Sequence, residues 1–358
     1  MQQPLRPPAS SPPDGAAAPD PNGLPNGTRV RWQAGQRGHV ESYFLKLNSP
    51  AQRFAAWFKF TFLAPLHGEP LAEVWAVWFD MDDPSRTRAW KASVPLTGGV
   101  IVNDDIHLRI AGCELTPDGT RGSLSVQRDG AAHTDHIDWD LRFTPGAAPL
   151  VHLPWAWMYE RKLPKSKILA PHPASRFDGS IHLNGERFTV HDAPGTLGHN
   201  WGAEHAWSYA WAHCSAFDGF GEDTFFEGFS TRIKLGCWVT PVLSVAHLSL
   251  DGHRHAFNRR RSMVSRPVSI GLQRWQFRLD GDDHALVGEF DAPRDDFICL
   301  HYGNPDGSTA YCLNSKLASG ELRLLDHRDR VVARLTTARQ AALEVLTRSA
   351  DHGVRFGA

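Results

Sequence analysis

Apolar and polar residues alternate with a period of two through most of the chain. Residues 39–47, 53–62 and 71–79 are dense in aromatic and β-branched side chains and lack the 3.6-residue spacing of a helix, so each predicts a strand. Residues 106–110, 122–126 and 136–143 alternate in the same way. Asp118-Gly119 and Asp129-Gly130 fall between such segments and are hairpin-turn dipeptides. The rhythm breaks between Pro145 and Pro173, where proline and lysine concentrate, which places a domain boundary near residue 165. It resumes over 177–190 around an Asn184-Gly185 turn, and further strands are expected over 207–217, 223–235, 242–250, 275–279, 285–290, 308–313 and 320–325. Residues 335–348 fit either a helix or two short strands.

Strands this regular, with few helices, predict an all-β protein of two consecutive antiparallel barrels or sandwiches, each of roughly eight to ten strands. The expected domains are 29–165 and 166–358. Residues 1–28 are mainly Pro, Ala, Ser and Gly with almost nothing to bury, the composition of a disordered tail.

Composition narrows the function. The 358 residues carry a net charge of −1, so no basic field exists to hold a polyanion and nucleic-acid binding is not expected. Five cysteines, Cys113, Cys214, Cys237, Cys299 and Cys312, are far apart and form no C-x-x-C pair, which points to reduced thiols in the cytoplasm. No stretch reaches transmembrane length, although peripheral membrane contact stays open. Dinucleotide, Walker and G-x-S-x-G motifs are absent from the sequence, so no cofactor is expected.

Chemistry-bearing residues concentrate between Gly198 and Cys214: Trp201, Trp207, Trp211, Tyr209, His199, His205, His213 and Glu204. On an extended strand Trp207, Tyr209, Trp211 and His213 share one face, opposite Ser208, Ala210, Ala212 and Cys214. Inside a small barrel the bulky face would wall an apolar pocket. The glycine- and proline-rich stretch 192–202 reads as a loop or bulged strand at the barrel mouth, with Asn200 tying down backbone or meeting ligand. The His and Glu spacing matches no helical or strand ligand pattern, so no metal is expected. An apolar pocket raises the pKa of a carboxyl group, which makes Glu204 the first candidate acid, with Asp218 and Glu227 next. Aromatic faces could stabilise a cation formed by protonating an alkene. His301, Tyr302 and Asn314 flank a turn at Asn304-Pro-Asp-Gly307 and could reach the same pocket.

Asn200-Trp-Gly202, followed by Tyr209-x-Trp211-x-His213-Cys214 and Phe217, resembles a segment of tocopherol cyclases. The wider arrangement is similar to the carotenoid 1,2-hydratase and lipocalin-like Diels–Alderase superfamily. The resemblance implies paired lipocalin-like β domains and enzymes that act on isoprenoid or polyketide-like molecules without metal or nucleotide. It departs at Tyr209, where the cyclases have Trp, at His213 (Gln), at Ser215 (Asn) and at His205-Ala206 (Phe-Pro).

The expectation is therefore a metal-independent cyclisation, hydration or isomerisation of a hydrophobic, isoprenoid-derived small molecule. Glu204, His205, His213 and His199 are the candidate catalytic residues. Trp201, Trp207, Tyr209, Trp211, Asn200, Glu227 and Tyr302 are the candidate substrate-binding residues. A carrier or sensor of a hydrophobic ligand is the alternative, and an interface between the two β units is a third reading of the segment.

Overall fold

The computed structural model describes residues 27–96, 100–102, 106–127 and 134–357. The expected tail lies outside the described residues except for Gly27 and Thr28, and the Asp129-Gly130 turn also lies outside. Two large antiparallel sheets account for most of the chain. The first has twelve strands. Its path runs Arg88–Pro95, Leu71–Asp80, Phe54–Ala64, His39–Ser49, Glu186–Gly202, Ser166–Leu183, Thr134–Pro145, Gly119–Gln127, Cys113–Thr116, His107–Ile110 and Val100–Val102, with Leu150–Val151 paired to Ser166–Leu183. The second has ten. Its path runs His253–Phe257, Leu243–Leu250, Phe225–Arg232, Ser208–Cys214, Val331–Thr347, Thr309–Leu325, Ala285–Asp291, Arg274–Asp280 and Val268–Ile270, with Ile298–Gly303 paired to Thr309–Leu325.

The all-β class is as the periodicity indicates, and each sheet curls around its own core without closing into a barrel. Ser166–Leu183 and Glu186–Gly202, grouped by the sequence analysis with the second unit, hydrogen-bond to each other and into the first sheet. The rhythm was hidden there because Pro171 and Pro173 cannot donate to a ladder. The strand passes them through register shifts between Leu169 and His172 and between His172 and Ser175. Residues 335–347 belong to one long strand, Val331–Thr347, which ends before Arg348, with shifts opposite Ser315 to Gly320 that blur its period.

Three apolar clusters explain the arrangement. Tyr43, Leu45, Phe58, Phe60 and Trp139 fill the first sheet, and Ala210, Ala212, Cys214, Phe226 and Trp275 fill the second. A third cluster, including Phe44, Trp57, Trp75, Trp211, Tyr302 and Leu346, joins the outer face of one sheet to that of the other. Strands such as His39–Ser49 are therefore buried on both faces. Among the described residues no helix is long and apolar enough to cross a membrane.

Candidate functional site

A cavity of about 150 Å³ opens in the seam between the sheets. Phe44, Trp57 and Lys59 reach it from adjacent strands of the first sheet, with Asn200 from Glu186–Gly202. Tyr209, Trp211, Phe229, Val245 and Glu344 reach it from the second. The segment between the two sheets supplies Glu204, His205 and Trp207, and Tyr302 comes from Ile298–Gly303. The expected barrel cavity is thus replaced by one between sheets. The physical cause lies in Ser208–Cys214. Its small residues Ala210, Ala212 and Cys214 pack into the second core, which turns Tyr209 and Trp211 outward against the first sheet.

Close backbone approach shapes the wall. Phe44 pairs with Gly198 across the strands, and a Cβ on Gly198 would lie 2.1 Å from the Phe44 ring. Glycine lets the ring lie flat there, and Phe44 then meets Trp211 edge to face, with centroids 5.6 Å apart.

His205 is the histidine that lines this cavity. Asn304 Oδ1 accepts from its backbone N–H at 2.9 Å and faces Nδ1 at 3.1 Å, while Asn304 Nδ2 donates to Ser308 Oγ. Nδ1 therefore carries the proton. Nε2 is shielded from solvent and has no hydrogen-bond partner among the described residues. Desolvation, reinforced by the charge of Lys59, lowers the His205 pKa to about 3, so at neutral pH its ring is a neutral acceptor rather than an acid.

His213 lies on the same strand face as Trp211 but beyond the cavity. It is fully buried, its Nε2 donates to the Pro173 carbonyl at 2.7 Å, and desolvation followed by the charge of Lys46 lowers its pKa to about 3. His199 is farther away. Its ring stacks on Tyr43, and its nitrogens lie 2.8 Å from the Gly27 carbonyl and 2.9 Å from Glu41 Oε1. Burial pushes the Glu41 carboxyl up, but hydrogen bonds from His199 and His39 outweigh it and hold the pKa at about 2. Trp201 packs with Leu153, Tyr159 and Leu169, outside the cavity wall.

Glu204 stands at the rim, where it pairs with Lys165 at 3.1 Å, and 27% of its side chain is exposed. It lacks the dry surroundings that the acid role was built on. Asp218 is on the surface and accepts from Thr336. Glu227 is fully buried behind the wall: its Oε1 accepts from Trp211 Nε1 at 3.1 Å and lies 3.2 Å from His152 Nε2. Desolvation pushes its carboxyl up, yet the neighbouring His152 outweighs this and leaves it below the usual range. It holds the Trp211 ring rather than meeting the cavity. Of the second cluster, Tyr302 lines the cavity, Asn314 is buried beside Glu344, and His301 faces outward against Phe356.

Several important groups were not singled out from the sequence. Lys59 projects into the cavity, and its Nζ lies 3.5 Å from the centre of the Tyr302 ring. Glu344 accepts from Lys316 Nζ at 2.6 Å and from Asn314 Nδ2 at 3.2 Å, and the Tyr209 hydroxyl donates to it at 3.4 Å. The ring faces also have occupants: Lys316 lies over Trp57 and Trp211, and Lys234 and Arg348 lie over Trp207. Burial keeps the Tyr209 and Tyr302 hydroxyls protonated well above the usual range. The available signal was a lysine inside the aromatic run 57–62, in phase with Trp57. Such a lysine normally reads as solvent-facing. Among the described residues no group of three or more His, Cys, Asp or Glu side chains is placed to hold a metal ion.

A family model described as tocopherol cyclase-like matches residues 118–346. The uncharacterized protein Rv0493c of Mycobacterium tuberculosis (strain ATCC 25618 / H37Rv) is 26% identical over 298 residues, which cover 82% of this chain and 83% of the relative. Among solved structures, CghA with Sch210972 superposes with a TM-score of 0.52 at 12% identity, over 86% of this chain and 88% of that one. Kievitone hydratase from Nectria haematococca gives a TM-score of 0.45 at 9% identity, over 91% of each chain.

Proposed function

The chain belongs to the tocopherol cyclase-like family, and from that premise we propose that its inter-sheet cavity binds a hydrophobic, isoprenoid-derived small molecule and converts it by acid/base chemistry. The reaction is a cyclisation, hydration or isomerisation. An apolar cavity of this size takes one ring-sized group. The rest of the molecule runs out past the Glu204–Lys165 rim.

The observation that carries the reading is His205: a neutral imidazole on an aromatic wall, its tautomer set by Asn304 and its Nε2 without a partner among the described residues. Nε2 accepts the proton in transfer. The Tyr302 hydroxyl, kept protonated by burial, is available as a donor, whereas that of Tyr209 is given to Glu344, and Asn200 offers an amide that makes no hydrogen bond among the described residues. Trp207, Trp211 and Phe44 shape the apolar part. Glu204 guards the entrance, while His199, His213, Trp201 and Glu227 hold the strands and rings that form the wall. A carrier without chemistry would use the same cavity.

Native mass spectrometry of the purified protein, followed by extraction and incubation of the co-purified compound with fresh protein, separates these readings. The enzyme reading expects a product of changed mass, or an isomer resolved by chromatography. It also expects His205→Gln to bind the compound and lose turnover. Recovery of the compound unchanged after long incubation would establish the carrier instead.

A further inference from the structure

Lys59 is only 3% exposed, lies on the cavity wall and has no hydrogen-bond acceptor among the described residues. Its close neighbour is the face of Tyr302. The other two lysines buried in this layer are held. Lys316 bonds Glu344 and Asn314, and Lys46 bonds Asn48 Oδ1 and the Gln340 carbonyl. The two carboxylates on the cavity wall are both engaged, Glu344 by Lys316 and Glu204 by Lys165. Lys59 is thus a positive charge in dry, aromatic surroundings without an anion of its own. Burying an ammonium group in this way is costly, and a methionine would fill the same space without that cost.

We infer that Lys59 anchors an anionic oxygen of the ligand, so that the cavity selects apolar molecules carrying one carboxylate or enolate oxygen. The inference rests on the reading of the cavity as a ligand site. The oxygen docks on Nζ, and the carbon skeleton lies against Trp57, Phe44 and Trp211. A charge-assisted hydrogen bond in a dry site is among the stronger polar contacts a protein makes. The ammonium also disfavours any cation formed beside it, which sets this cavity apart from one built to protonate an alkene. Neutralising Lys59 further removes the larger of the two charge effects that lower the His205 pKa, the other being Arg348, so the same ligand oxygen makes Nε2 a better proton acceptor.

Isothermal titration at pH 7 with 4-phenylbutyrate and with 4-phenylbutan-1-ol tests this, using the full chain, Lys59→Met, Lys59→Arg and Lys59→Gln. The carboxylate is expected to bind the unaltered protein about tenfold more tightly than the alcohol, the equivalent of one charge-assisted bond. Lys59→Met and Lys59→Gln should bind the two ligands equally well, and Lys59→Arg should keep the preference. Binding of the alcohol reports that each variant retains its cavity. Equal binding by the unaltered protein, or a preference that survives in Lys59→Met, overturns the anchor and leaves the cavity reading intact. If neither ligand binds, the cavity reading falls and the anchor falls with it.

Discussion

Replacing Lys59 by methionine is expected to make the empty protein more stable. Desolvation lowers the Lys59 pKa from 10.5 to about 8, with the nearby Cys312 and Glu344 opposing the fall. Each pH unit of displacement corresponds to about 1.4 kcal/mol, so the buried ammonium costs on the order of 3 kcal/mol at pH 7. Losing its contact with the Tyr302 ring gives back about 1–2 kcal/mol, which leaves a net gain of about 1–2 kcal/mol for Lys59→Met. Below pH 8 the lysine is protonated in both the folded and the unfolded chain, and the cost is present in full. Between pH 8 and 10.5 the folded form releases its proton while the unfolded chain still binds one, so the cost shrinks, and above 10.5 it is gone. Urea unfolding of both proteins at pH 7, 8.5 and 10 measures this difference directly. The gap should be widest at pH 7 and close as pH rises. A variant no more stable than the original at pH 7, or a gap that stays constant to pH 10, would refute the reasoning.

Four further outcomes are expected. The His205 ring should stay neutral, with its proton on Nδ1, from pH 8 down to pH 5 in nitrogen-15 NMR spectra; titration near 6.5 would contradict its desolvated placement. Gly198→Ala should cost about 1–3 kcal/mol in chemical denaturation, because the Phe44 ring must leave the strand it lies on. Glu227→Ala should cost about 3–5 kcal/mol, since it strips a buried carboxylate from His152 and frees the Trp211 indole N–H, and a cost below about 1 kcal/mol would show the pair to be dispensable. Glu204→Gln, at a half-open ion pair, should change stability by less than about 1 kcal/mol in the same assay.

Fold class was legible because period-two alternation is a local property of a strand. The phase of Tyr209 and Trp211 against Ala210 and Ala212 was legible for the same reason. Which phase faces which core was not. In a strand buried on both sides, such as His39–Ser49, lysine and asparagine at positions 46 and 48 look solvent-facing although they sit in the seam with a second sheet. This ambiguity hid Lys59, Lys316 and Glu344, and it placed the pocket inside a barrel. The histidines illustrate a second limit. His199, His205 and His213 are close in sequence, yet Glu186–Gly202 carries the first into the Glu41 network and Ser208–Cys214 carries the third behind Trp211. Only His205, on the link between the sheets, reaches the cavity. Asn304, which sets its tautomer, lies 99 residues away in a turn whose sequence reads as purely structural.

The seam location of the cavity separates two kinds of inheritance within single strands. Odd and even positions of the same strand answer to different demands: Tyr43 and Leu45 to the first core, Phe44 to the seam cavity, and likewise Ala210 and Ala212 against Tyr209 and Trp211. Substitutions confined to the seam phase can reshape the cavity while both cores keep their packing. A lineage built this way can vary the shape and polarity of its cavity by altering alternate residues, with loops and domain interiors left as they were.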